Sequence, residues 1–142
     1  MPTLLQVDIV SPEGAVYSAQ ATHVTVKGEE GELGIFPGHN QLLSRVVPGP
    51  VHIYREDGEE DILFVSGGIL EIQPTHVSLL ADVMERPQDV NEAAALEAKR
   101  AAEQLLLGQS ESVDATQARY QLAEALAKLR VLELINLRRK KN

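Results

Sequence analysis

The sequence predicts an α+β chain: an antiparallel β-sandwich or flattened barrel over residues 1–87, then an antiparallel two-helix hairpin over residues 88–142. Three observations carry this. Apolar residues alternate with period two up to about Val83. The pattern then changes to Ala-, Leu- and Glu-rich segments without internal Gly or Pro. Charge divides at the same place. Residues 1–87 hold 13 acids and 4 bases, net −9, whereas residues 88–142 hold 8 acids and 9 bases, net +1.

The strand signals come in order. LLQVDIV alternates around Leu5, Val7 and Ile9, against Gln6 and Asp8. HVTVK alternates through Val24 and Val26, and VHIYRE through Val51 and Ile53. ILFVSG, GILEIQ and HVSLLADV are further short runs rich in β-branched residues. Turn signals separate them: Pro12-Glu13-Gly14, Pro48-Gly49-Pro50, Asp57-Gly58, Gly67-Gly68 and Pro74-Thr75. Short strands about ten residues apart point to a sandwich or barrel. A segment of about 85 residues buries one modest core.

Pro87 punctuates the chain. Asn91 is placed to cap the first helix, NEAAALEAKRAAEQLLLG, and Gly108 to stop it. GQSESV reads as a polar loop. Asp114-Ala115-Thr116-Gln117 resembles a capping box opening a second helix that runs to about Leu137. The facing stripes expected are Ala94, Ala98, Ala101 and Leu105 against Ala118, Leu122, Ala125, Leu129 and Leu132. At about 0.8 kcal/mol per buried CH₂, an Ala-rich seam holds less firmly than a Leu-rich one. Two readings follow: a coil fixed on the sandwich, or a hairpin near enough to balance that it opens.

Several functions find no support. The chain has no cysteine, which removes disulfides, thiol catalysis and thiolate metal sites. Its net charge of −8 argues against nucleic-acid binding. The start, MPTLLQVDIV, lacks the basic and apolar regions of a secretory signal. No apolar run approaches the roughly 18–20 residues that span a bilayer. His23, His39, His52 and His76 show no helical metal spacing and are expected at the surface or half-buried. There is no Gly-x-Ser-x-Gly elbow, and Ser66-Gly67-Gly68 reads as a strand-to-strand turn. Glu29-Glu30 and Glu59-Glu60-Asp61 read as solvated acids. No catalytic residue, metal or cofactor is expected.

Binding remains. GEEGELGIFPGH, residues 28–39, is a Gly-rich loop without the lysine of a phosphate cradle. Ile35 and Phe36 are expected to plug the core. Glu29, Glu30 and Glu32 then form a docking surface for a basic or polar partner.

GEEGELGIFPGHNQLL, VSGGILEIQP and LADVMER, in that order and spacing, closely resemble the epsilon subunit of bacterial F-type rotary ATP synthase. The resemblance covers nearly the whole chain. It implies a non-catalytic central-stalk protein whose sandwich packs on the gamma subunit and sits on the c-ring. It makes Glu32 the main candidate for ring contact, with Glu29, Glu30 and His39 nearby. It places the chain peripherally at the cytoplasmic face of the bacterial plasma membrane, reaching the membrane only through the c-ring.

The resemblance also implies that the hairpin either folds on the sandwich or extends into the catalytic head, where it meets gamma, alpha and beta and inhibits ATP hydrolysis. Arg130, Arg138, Arg139, Lys140 and Lys141 are the candidates for meeting an acidic loop of beta, although a terminal RRKK run also serves simply as a solubilising end. A clamp whose hairpin never extends would need the same fold. Some bacterial relatives bind ATP through [IL]-D-x-x-R-A. Here that segment is Val90-Asn91-Glu92-Ala93-Ala94-Ala95, with Asn91 for Asp and Ala94 for Arg. Losing the phosphate-facing cation costs about 1.5–3 kcal/mol, so nucleotide binding is not expected.

Overall fold

The computed structural model describes residues 4–107 and 113–141. Nine strands come first: β1 (Leu5–Val10), β2 (Val16–Gly28), β3 (Gly31–Ile35), β4 (Leu42–Val46), β5 (Gly49–Arg55), β6 (Glu60–Val65), β7 (Gly68–Ile72), β8 (His76–Ala81) and β9 (Met84–Glu85). A 3-10 turn at Pro87–Asp89 leads to α1 (Glu92–Leu106) and α2 (Val113–Lys141).

The strands run in the order β1-β8-β7-β4-β2-β5-β6-β9, with β3 on β2. β1 also pairs with β2, so one layer closes on itself and the sandwich is a flattened barrel. The long β2 makes this possible. Its first half pairs with β1, and beyond a register shift between Ala21 and His23 it pairs with β5 and β3. A bulge of this kind bends a strand between two layers. The pairings are antiparallel except one: β1 and β8 run parallel, because the sandwich brings the first strand beside the eighth.

Alternation places Leu5, Val7 and Ile9 of β1, Val24 and Val26 of β2, and Val51 and Ile53 of β5 in one core. β6 differs. Ile62, Leu63, Phe64 and Val65 are all buried. Leu63 and Val65 enter the core, whereas Ile62 and Phe64 face outward beneath Ala127 and Val131 of α2. The hairpin is therefore docked on the outer face of β5 and β6.

Three sequence expectations about the hairpin need correction. Ala95 and Ala102 are the buried residues of α1, while Ala94, Ala98, Ala101 and Leu105 are exposed. The stripe is rotated by one residue because alanines occupy both neighbouring faces and offer no apolar contrast to set the phase. Asp114 is the second residue of α2 rather than its cap, and α2 continues past Leu137 to Lys141. The second stripe is placed as expected, with Ala118 and Ala125 buried and Leu122, Leu129 and Leu132 half-buried. Asn91 does cap α1, its side-chain oxygen accepting from the Ala94 N–H at 3.0 Å. Gly108 and the rest of 108–112 lie outside the described residues.

Ser66-Gly67-Gly68 connects β6 to β7, which do not pair; it is a crossover between layers. Gly68 has φ +143°, and a Cβ there would stand 2.1 Å from the Leu80 carbonyl oxygen. Only glycine allows β7 this close to β8.

The parallel β1–β8 pair carries a polar clasp. Asp8 accepts from Ser18 Oγ at 2.7 Å and Gln6 Nε2 at 3.3 Å, and contacts His76 Nε2 at 2.8 Å. The Ser18 hydrogen bond leads the causes that hold the Asp8 carboxyl below its ordinary 3.8. A carboxyl lowered on folding contributes stability that is complete above the unfolded value and vanishes as pH falls through the folded one. Asp8→Asn is therefore expected to lose less stability than the parent chain between about pH 5 and pH 2, as read by thermal melts across pH. An identical acid dependence in both chains would remove Asp8 from the account.

Candidate functional site

The Gly-rich segment is a β-hairpin rather than a loop. Its alternation is masked in sequence by glycines at Gly31 and Gly34. Gly28 stands opposite Gly31 across β2 and β3, leaving Glu29 and Glu30 as the turn. Neither glutamate takes a positive φ; Gly31 takes it instead, at +133°. Glu29, Glu30 and Glu32 are all exposed, and Glu32 stands opposite Lys27 in the ladder. The Glu29 N–H donates to the Arg45 carbonyl at 3.1 Å, tying the tip to β4.

This tie brings in residues the sequence did not single out. A recess of about 470 Å³ is lined by the three glutamates together with Leu42, Leu43 and Arg45. Leu43 is 70% exposed. The consecutive leucines of NQLLSRV broke the alternation, and that was the available signal. The tip thus offers carboxylates beside bare apolar side chains, suited to a polar protein loop with an aliphatic flank.

His39 does not line this recess. It is half-buried in the turn after β3, with Nδ1 2.6 Å from the Asn40 carbonyl, and its neighbour Gly38 donates to Pro74 at 2.7 Å. The structure keeps His39 apart from the glutamates. Ile35 is buried as expected, but Phe36 is not a core residue: it is 56% exposed and stacks on His23 with ring centroids 4.8 Å apart. Adjacent strand residues face opposite sides, so both could not point inward. The acids at 59–61 are also more engaged than expected. Glu60 contacts His52 at 2.6 Å, and Asp61 accepts from Tyr17 at 2.6 Å.

A second surface emerges from register alone. Ile69 of β7 stands opposite Leu80 of β8, Leu80 opposite Val10 of β1, and Val10 opposite Val16 of β2. All four are exposed, Leu80 at 61%. Single exposed apolar residues are ordinary; these four instead form an unbroken row across β7, β8, β1 and β2.

The basic end of α2 is held down on the sandwich. Arg138 donates to the Glu60 carbonyl, and Lys128 lies 3.5 Å from Glu85 and 5.3 Å above the Phe64 ring. Arg130 pairs within α2 with Glu133. Arg139 and Lys140 are exposed. The Lys141 side chain lies outside the described residues. Asn91 and Ala94 line a groove between α1 and α2 with Ala98, Gln121 and Lys128.

The beta-sandwich domain model of the ATP synthase Delta/Epsilon chain matches residues 4–87, and the long alpha-helix domain model of the same chain matches residues 88–133. The chain belongs to the ATP synthase delta/epsilon family. Members of this family are non-catalytic subunits of the central stalk. Two solved structures share the fold. A chain of the Euglena gracilis mitochondrial ATP synthase (OSCP/F1/c-ring) superposes with TM-score 0.80 at 19% identity, covering 93% of this chain and 83% of that one. A chain of the Tetrahymena thermophila mitochondrial ATP synthase (central stalk/c-ring) gives TM-score 0.62 at 16% identity, covering 90% and 96%. Among the described residues of this delta/epsilon chain, no helix is long and apolar enough to cross a membrane.

Proposed function

We propose that this delta/epsilon chain couples the c-ring to gamma through two faces of its sandwich, and restrains ATP hydrolysis when its hairpin leaves the sandwich. In this reading the apolar row through Leu80 seats gamma. Glu29, Glu30 and Glu32, flanked by Leu42 and Leu43, meet the polar loops of the ring. The released α2 carries Arg130, Arg138, Arg139, Lys140 and Lys141 toward beta, with alpha and gamma alongside. The sandwich (1–87) and the hairpin (88–142) act as separate units. The complex then lies at the cytoplasmic face of a bacterial membrane, and this chain is peripheral to it.

The observation that carries the reading is the contrast between two cores. The sandwich closes its own interior, whereas the hairpin is held by a small cluster around Ile62, Phe64, Ala127 and Val131. A face this narrow can be exchanged for another partner at modest cost.

The test compares complexes reconstituted with the full chain, with a chain ended at Arg86, and with Glu29, Glu30 and Glu32 all changed to Lys. Ending the chain is expected to raise ATP hydrolysis several-fold and leave assembly intact. The triple change is expected to loosen the ring, because three like charges replace three attractive ones; one exposed pair is worth only about 0–1 kcal/mol. An unchanged hydrolysis rate after truncation leaves a stalk clamp without an inhibitory role. Full proton-coupled activity of the triple variant at low and high salt would remove the tip from the ring contact.

A further inference from the structure

The end of α2 meets the sandwich across a cleft of about 600 Å³. Arginines reach it from three directions: Arg55 from β5, Arg86 from the linker, and Arg138 and Arg139 from α2. Asp61 lines the cleft as well, but it and Asp57 are already taken. Asp61 accepts from Tyr17 at 2.6 Å and from Arg55 at 3.4 Å, and Asp57 binds Arg55 at 2.9 Å. Burial, followed by the Asp61 hydrogen bond, pushes the Tyr17 phenol above its ordinary range, so it stays neutral.

The other three guanidinium groups have no carboxylate partner among the described residues. Arg86 donates to the Val16 carbonyl at 3.0 Å, and Arg138 to the Glu60 carbonyl. These bonds satisfy N–H donors without neutralising charge. A chain of net charge −8 has acids to spare, yet leaves three cations around one cleft. Guanidinium groups so placed repel one another until an anion joins them. Their planar forks match phosphate oxygens, two bonds at a time. Ile62, Leu132 and Ile135 form an apolar wall beside them. The volume lies within the range of small-ligand sites, far beyond one chloride.

We infer that this cleft binds a multivalent phosphate anion, of diphosphate size, gripped by Arg86, Arg138 and Arg139 with Arg55 at its edge. Such an anion links the linker and sandwich to the last turns of α2. It binds the docked hairpin better than the released one and so shifts the balance toward docking. The inference concerns the isolated chain and does not depend on whether the hairpin inhibits hydrolysis.

Calorimetric titration of the full chain at low salt, with inorganic pyrophosphate as the probe, tests it. One saturable site is expected, together with slower amide exchange over residues 132–139. Arg86→Gln, which leaves α2 untouched, should weaken binding about tenfold, as should each of Arg138→Gln and Arg139→Gln. Arginine-to-lysine changes should recover part of that loss by keeping charge without the fork. A parallel titration with adenosine diphosphate separates an organic diphosphate, which gains from the apolar wall, from the inorganic ion; tighter or equal binding supports the site in either case. No saturation by about 1 mM pyrophosphate overturns the inference. So does equal displacement by chloride at matched ionic strength, or binding that survives the arginine changes but is lost in Lys128→Gln, which would put the anion between α1 and α2.

Discussion

Gly68→Ala is expected to cost more than about 4 kcal/mol, close to the whole stability of a small domain. The new Cβ would stand 2.1 Å from the Leu80 carbonyl oxygen and 3.0 Å from Ala81 Cα. Both obstacles are backbone, so no side chain can swing aside to relieve them. The φ of +143° adds strain for any residue with a Cβ. Gly68 also stands opposite both Val46 and Ala81, so a local shift would disturb β4 and β8 together. Gly14→Ala is the control: its φ is +92°, but nothing lies within 4 Å, and strain alone should cost about 1–2 kcal/mol. Urea unfolding of the two variants measures the difference. Equal midpoints would mean that β7 and β8 do not approach this closely.

This glycine marks a limit of sequence reading. Gly67-Gly68 was legible as a break between strands, but a turn and a crossover share the same residues. What distinguishes them is which strands pair on either side, and that is decided by distant partners. The same holds elsewhere. β1, β2 and β5 were legible because Leu5, Val24 and Ile53 sit in clean alternation with polar neighbours. β3 and β4 were not, since Gly31 and Gly34 have no side chain to alternate and Leu42-Leu43 places two apolar residues on opposite faces. The glutamates of the tip were legible as exposed charge. Leu43 and Arg45 beside them were not, because β4 reaches the tip through tertiary pairing. The apolar row through Leu80 was hidden for the opposite reason: each of its members sits in a strand already rich in apolar residues, and only register aligns them.

The hairpin's docking face was equally hidden. ILFVSG read only as a short strand run, without telling which of its residues would face a helix. Ala127 and Val131 lay outside the expected stripe because α2 buries two faces, one toward α1 and one toward β6.

That second face gives the other large expected effect. Val131 is fully buried between α2 and the outer side of β6, against Ile62 and Phe64. Val131→Asp would place an unpaired carboxylate there, at a cost of several kcal/mol. The protein has a cheaper response than burying the charge, which is to undock α2. The net loss is then capped at the docking free energy, and the sandwich, with its separate core, keeps its fold. Hydrogen exchange is expected to accelerate along α2 by orders of magnitude while β1, β5 and β7 stay protected. Ile62 and Phe64 become exposed and should bind an apolar dye. Lys128 loses Glu85 and the Phe64 ring together, so docking fails as a unit rather than residue by residue. In the assembled complex the variant should spend more time with its hairpin released, and hydrolysis should fall if the released hairpin inhibits. Slow exchange in α2 of the variant would show that the Val131 seam is not what holds the hairpin. Fast exchange with unchanged hydrolysis would separate release, which the seam controls, from inhibition, which would then have to be sought elsewhere in the stalk.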